Sequence, residues 1–240
     1  MLSKRSIIVL NAVKHSDKGV VIVCYSLEHG REALYFRGGG KSRQSIQMFH
    51  KLALLDCVVY SGRNGTMPTI KEIVSSHILQ ELRTNIYKGA MAMFMSELVM
   101  RCIREEEPNE KLFALISSSV KLLDVMEEGT ENFHLYFIVS LCMALGYTPN
   151  SLRVDESEQF YVPYGRFEVY SSTLPGIWFT GEESNLLEKL LHSRVNEIGE
   201  IKCGRDLRLS FAKKMVQYIS YHLGTEIEIK SLDVLHEVFG

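Results

Sequence analysis

The stretch of this chain that most resembles a reactive motif is Gly38-Gly39-Gly40-Lys41-Ser42. A Gly-Lys-Ser triplet ends the phosphate-binding loop of nucleotide hydrolases, where backbone N–H groups and the lysine cradle phosphates and the hydroxyl holds Mg²⁺. The full loop also needs a glycine five positions before Gly40, where Tyr35 stands. It needs a helix behind the serine as well, whereas here the chain passes into a β-like run. The segment is therefore expected to be a basic loop and not a nucleotide site.

Other reactive residue types fare no better. The histidines (His15, His29, His50, His77, His134, His192, His222, His236) include no His-x-x-x-His pair at metal-ligand spacing. No Gly-x-Ser-x-Gly elbow presents a nucleophilic serine. The five cysteines lie 33 to 61 residues apart, so none forms the Cys-x-x-Cys half of a structural zinc site. Most sit in apolar runs, as buried thiols do. His134, in the most apolar segment, is expected to be a hydrogen-bonded core residue. The expectation is a protein that is not an enzyme, needs no cofactor and binds no metal.

What remains is charge. The formal net charge of −2 hides a division. Residues 1–80 hold 11 Lys+Arg against 5 Asp+Glu, and residues 81–240 hold 16 against 24. The N-terminal part is thus +6 and the remainder −8, the asymmetry of a basic module joined to an acidic one. Lys14, Lys18, Arg31, Arg37, Lys41, Arg43 and Lys51 fall in or beside turns, where long side chains reach phosphates. Tyr25, Tyr35, Phe36 and Phe49 lie in the adjoining strands. A cationic groove with aromatic platforms is how single-stranded nucleic acid is held. Strand alternation sends some of these rings inward, and of the adjacent pair Tyr35 and Phe36 one must face each way.

These residues must be positioned by β structure. Ser6–Val13, Val20–Leu27, Glu32–Arg37, Phe49–Ser61 and Pro68–Ser75 read as strands separated by turn clusters, including Arg63-Asn64-Gly65-Thr66. Five short strands in this length fit a closed OB-type barrel, which removes sheet edges. An open sandwich is the alternative. From residue 80 the hydrophobic period changes to that of helices. Asn85–Glu106 places Ile86, Ala90, Met93, Phe94 and Leu98 on one face. Glu110–Glu127 follows, then the apolar Glu131–Leu145, expected at the buried centre of a helical domain. The Met91, Met93, Met95, Met100 stripe is expected to be core filler. Residues 150–181, rich in aromatic residues, proline and glycine, read as a small β-rich insert. Helices resume at Glu183–Val195 and Asp206–His222, stopped by Gly224, with a last one at Ser231–Phe239. The expected class is α+β: residues 1–80 an OB-fold nucleic-acid-binding domain, residues 81–240 a helical domain with an insert at about 150–181. No apolar run spans a membrane, and a reducing, cytoplasmic setting is expected.

Several segments together resemble the bacterial recombination mediator family RecO. They are Ile7-Ile8-Val9-Leu10, the turn His15-Ser16-Asp17-Lys18, Leu27-Glu28-His29-Gly30, the loop Arg37-Gly38-Gly39-Gly40-Lys41-Ser42, and late in the chain Tyr218-Ile219-Ser220-Tyr221-His222-Leu223-Gly224 with Lys230-Ser231-Leu232. Their order and spacing, more than any one motif, carry the resemblance. It implies an OB-fold joined to a helical domain that binds single- and double-stranded DNA and anneals complementary strands. It also implies help in loading RecA recombinase onto DNA coated by single-stranded DNA-binding protein, acting on the nucleoid. RecR and the C-terminal tail of the single-stranded DNA-binding protein are the implied partners, with no catalytic turnover. An acidic, apolar tail needs a cleft rimmed by cations, and Arg83, Lys88, Arg101, Arg104 and Lys121 are those available on the first helices. Many family members carry a four-cysteine zinc site in the insert. Residues 150–181 here hold no cysteine, so an aromatic cluster around Tyr161, Phe167 and Trp178 is expected to hold it instead. The competing expectation is a protein-interaction adaptor whose barrel binds no nucleic acid.

Overall fold

A computed structural model describes residues 1–16, 19–38, 47–62, 66–103 and 106–239. By its contacts the chain divides into two compact units, Met1–Val125 and Met126–Gly240.

The first unit is built on a closed five-stranded barrel of order β1-β2-β3-β5-β4. Its strands are β1 (Leu2–Ser16), β2 (Gly19–Ser26), β3 (Gly30–Arg37), β4 (Leu54–Tyr60) and β5 (Thr69–Ser75). β1 is longer than its hydrophobic run because it serves two neighbours. Its first half pairs antiparallel with β4, from Leu2↔Tyr60 to Ile8↔Leu54, and its second half pairs with β2, from Ile7↔Ser26 to Ser16↔Gly19. A short parallel contact, Tyr35↔Thr69 and Phe36↔Ile70, closes the barrel between β3 and β5. Ile7, Val9, Ile22, Leu34, Phe36, Leu55 and Val59 fill the interior, which is the period-two face of each strand.

The expected strand Phe49–Ser61 begins late, at Leu54. Before it Leu52 holds a left-handed backbone, φ 60°, while fully buried. Its N–H donates to the Val9 carbonyl at 2.7 Å, and the Val9 N–H donates to Ala53 O at 3.0 Å. A left-handed non-glycine residue costs about 1–3 kcal/mol, and here buried pairing on both sides holds it. β1 bulges between Val9 and Asn11. The Leu10 carbonyl accepts from Ser96 Oγ at 2.5 Å and Lys51 Nζ at 3.2 Å.

Ile8, Leu10, Tyr25 and Leu54 alternate with the interior residues yet are buried too. This part of the outer barrel lies under helix. Three helices follow β5: α1 (Gln80–Thr84), α2 (Ile86–Cys102) and α3 (Glu110–Val125). The Asn85 side chain caps α2, accepting from the Tyr87 and Lys88 N–H groups. Met91, Phe94, Met95 and Leu98 are buried along it, and Met93 and Met100 are half-buried. The structure corrects the expected face at one end, since Ile86 is 71% exposed. It also ends the helix at Cys102.

The second unit centres on α4 (Phe133–Ala144), where Phe133, Leu135, Phe137, Ile138 and Leu141 are fully buried. A two-stranded hairpin follows, β6 (Glu158–Tyr161) with β7 (Arg166–Val169), and then α5 (Gly181–His192), α6 (Arg205–Leu223) and α7 (Ser231–Val238). α5 starts at a reciprocal capping box between Thr180 and Glu183. Gly224, at φ 63°, ends α6 as a left-handed cap.

Candidate nucleic-acid interface

The seven candidate basic residues of the N-terminal part do different work. Arg37, at the end of β3, is exposed, and so is Lys14 near the end of β1. Arg31 and Lys51 are engaged within the unit. The Arg31 Nη1 donates to the carbonyls of Met100 (3.0 Å) and Ile103 (2.8 Å), the C-terminal end of α2, where a cation meets the negative end of the helix dipole. Lys51 Nζ donates to the bulged Leu10 carbonyl and to Asn11 Oδ1 at 3.0 Å, and burial lowers its pKa. Lys18, Lys41 and Arg43 lie outside the described residues, as do Gly39–Ser42 of the basic loop and Arg63-Asn64-Gly65 of the turn.

The aromatic residues sort as alternation requires. Phe36 points into the barrel against Phe49, ring centres 5.1 Å apart. Tyr25 is buried on the outer side, and Tyr35 is half-exposed. The Tyr35 ring lies over Gly19, where a Cβ would come within 2.1 Å of the phenol oxygen. Only glycine permits this approach, so β2 carries the ring flat across its backbone.

Pairing register links Tyr35 to residues that composition and turn positions do not single out. On the outer face Val13 pairs with Val21, Val21 with Tyr35, Tyr35 with Thr69, Thr69 with Tyr60, and Tyr60 with Leu2. One row of side chains therefore crosses all five strands and returns to β1. Val13, Tyr60 and Leu2 are 52%, 45% and 60% exposed. Cations flank the row: Arg37 is two residues beyond Tyr35, and Lys71 Nζ stands over the Tyr60 ring at 5.6 Å. Further along β4 and β5 the charge reverses. Glu28, Asp56 and Glu72 line a groove of about 500 Å³ with Lys4, and the Ser6 hydroxyl donates to Asp56 at 2.7 Å. Tyr60 and Lys71 were legible only through alternation and pairing, as the outward partner of Val59 and the residue beside Ile70.

On the helices, the cations proposed for a partner fall into two places. Asp124, near the end of α3, joins three elements: its Oδ1 accepts from the Leu82 N–H at 2.9 Å and its carbonyl from Lys88 Nζ at 2.8 Å. Lys88 is buried by this role. Arg83 and Lys121, both exposed, sit beside the junction. So do the exposed apolar residues Ile86, Tyr87 and Val125. Arg101 lies about 20 Å along α2 from Lys88. Arg104 is outside the described residues.

The insert is built on an aromatic cluster. Its hairpin is filled by rings: Phe160 meets Phe167, Phe179 and Tyr218 edge-on at 5.2–5.5 Å centre distances typical of such pairs, and Tyr161 stacks on Trp178 at 4.3 Å. Arg153 clasps the hairpin to α5, donating to Asn185 Oδ1, Glu188 Oε2 and the Glu158 carbonyl. Among the described residues no group of three His, Cys, Asp or Glu is placed to hold a metal ion. Nor is any helix among them long and apolar enough to cross a membrane.

Comparison with known proteins places these features in one family. Residues 1–78 match the family model described as Recombination protein O N terminal, and residues 83–233 match Recombination protein O C terminal. The proteins named DNA repair protein RecO of Flavobacterium johnsoniae, Christiangramia forsetii and Phocaeicola vulgatus are 28%, 30% and 29% identical to it, each over 100% of both chains. With an OB-like barrel followed by helices and both family models matched in order, the chain belongs to the RecO family of DNA repair proteins.

Proposed function

We propose that this protein is a recombination mediator that binds and anneals single-stranded DNA, and with RecR helps load RecA onto DNA coated by single-stranded DNA-binding protein. The observation that supports the DNA-binding part is the row of aromatic and apolar side chains flanked by Arg37 and Lys71 on a barrel of +6 formal charge, with exposed Lys14 at its rim. Phosphate neutralisation by such cations supplies sequence-independent affinity, and aromatic faces accept any base. Annealing needs both properties, because two unlike strands must be held by the same surface without discrimination. In this reading the protein acts by binding, without turnover, in the cytoplasm on the nucleoid. Residues 1–80 serve as the nucleic-acid-binding domain in this account and residues 81–240 as the partner-binding domain. Lys18, Lys41 and Arg43 join Arg37 and Lys14 as phosphate contacts. The junction around Asp124, with Arg83, Lys121 and exposed Ile86 and Tyr87, suits the acidic, apolar tail of the single-stranded DNA-binding protein.

An annealing assay tests the proposal. Complementary oligonucleotides, labelled with a donor and an acceptor dye, should pair faster with the protein present, and faster again at low salt. Annealing at the spontaneous rate at every salt concentration would contradict it and leave the adaptor role.

A further inference from the structure

Tyr35 and Tyr60 occupy special positions in the outer row. Both pair with Thr69, one from each side, so all three side chains stand on one face with Thr69 between the rings. Two strand spacings, about 10 Å, separate the backbones of the tyrosines, and the Tyr35 ring leans away from Thr69, over Gly19 of β2. Tyr60 is 45% exposed, with Lys71 Nζ at 5.6 Å from its ring centre. Tyr35 is laid over Gly19, and His15 meets its edge at 6.2 Å.

We infer that Tyr35 and, second, Tyr60 with Lys71 are base-stacking sites, and that the Tyr35–Thr69–Tyr60 row makes the barrel select unstacked, single-stranded DNA over duplex. The inference rests on the DNA-binding function proposed above. In a duplex, bases are stacked at about 3.4 Å per step, and their faces are covered by their neighbours. No two adjacent duplex bases can lie on platforms about 10 Å apart. A single strand can turn its bases out one at a time and lay them on the rings, with Lys71 and Arg37 placed for the intervening phosphates. The strand would cross the β-strands, running from β3 over β5 to β4. The groove lined by Glu28, Asp56 and Glu72 lies further along β4 and β5, beside this path. Duplex DNA would still bind, through the cations alone.

Anisotropy titrations of the full-length protein with a labelled oligothymidylate and with a mixed-sequence duplex of equal length test this. Tyr60→Ala should weaken oligothymidylate binding about ten-fold, in the range one lost base stack gives, and leave duplex binding within about two-fold. Tyr60→Phe, which keeps the ring and drops the hydroxyl, should bind both like the wild type. Equal single-strand affinity in Tyr60→Ala and wild type, or an equal loss on both DNAs, would overturn the second site while leaving DNA binding intact. A wild-type protein that binds neither DNA at low salt would overturn the proposed function and this inference together.

Discussion

His134 is a residue whose ionisation is strongly constrained by its surroundings. It is buried in α4, and burial, reinforced by the Arg208 charge, lowers its pKa to about 3, against a small opposing effect of a backbone hydrogen bond at Glu131. Its place in the apolar segment made a neutral core residue the natural expectation, because a charged imidazole there has no water to solvate it. The linkage has a definite sign. Above about pH 6.5 both folded and unfolded states hold a neutral ring. As pH falls from there toward 3 the unfolded chain takes up a proton that the folded chain refuses, and stability is lost by up to about 1.4 kcal/mol per pH unit. Urea unfolding at pH 7.5 and pH 5 should therefore show a larger acid loss in the wild type than in His134→Gln. Equal losses would mean that His134 is protonated in the folded state. Lys88 carries the opposite lesson. Sequence marked it only as a cation near a helix start, and its partner, the Asp124 carbonyl, is 36 residues away. No local pattern records such a contact.

Among the elements, the pairing of β3 with the end of α2 shows what period and composition do and do not convey. Strand and helix types were legible, since alternation and the 3.6-residue repeat are local and the turns between them carry glycine, proline and asparagine. The two-sided pairing of β1, the late start of β4 and the outer aromatic row were not, because register depends on which strands meet. Arg31 illustrates the cost of that gap. Beside a turn it reads as a phosphate contact, and the fold brings the carbonyls of Met100 and Ile103, at the C-terminal end of α2, to its guanidinium. Replacing it with Met removes two charge-assisted hydrogen bonds and should destabilise the protein by about 1–3 kcal/mol. The melting temperature should fall by several degrees, with the single-strand affinity of the folded variant within about two-fold of wild type. An unchanged melting temperature with a clear loss of DNA affinity would return Arg31 to the interface.

For the whole molecule, the −2 net charge describes neither part. Its positive excess belongs to a barrel whose outer surface pairs cations with accessible rings, and its negative excess to the residues after 80. If barrel cations replace counterions on DNA, the logarithm of single-strand affinity falls linearly with the logarithm of salt, by about 0.7 per phosphate neutralised. On the proposed function Arg37, Lys14 and Lys71, with Lys18, Lys41 and Arg43, would supply several such contacts. The most direct test is an oligothymidylate titration of the wild-type protein between low and physiological salt. Binding at low salt is expected to be nanomolar to micromolar, with a log–log slope of about −2 to −4. A slope near zero, or no binding at the lowest salt, would contradict the assignment of the barrel as the DNA-binding surface.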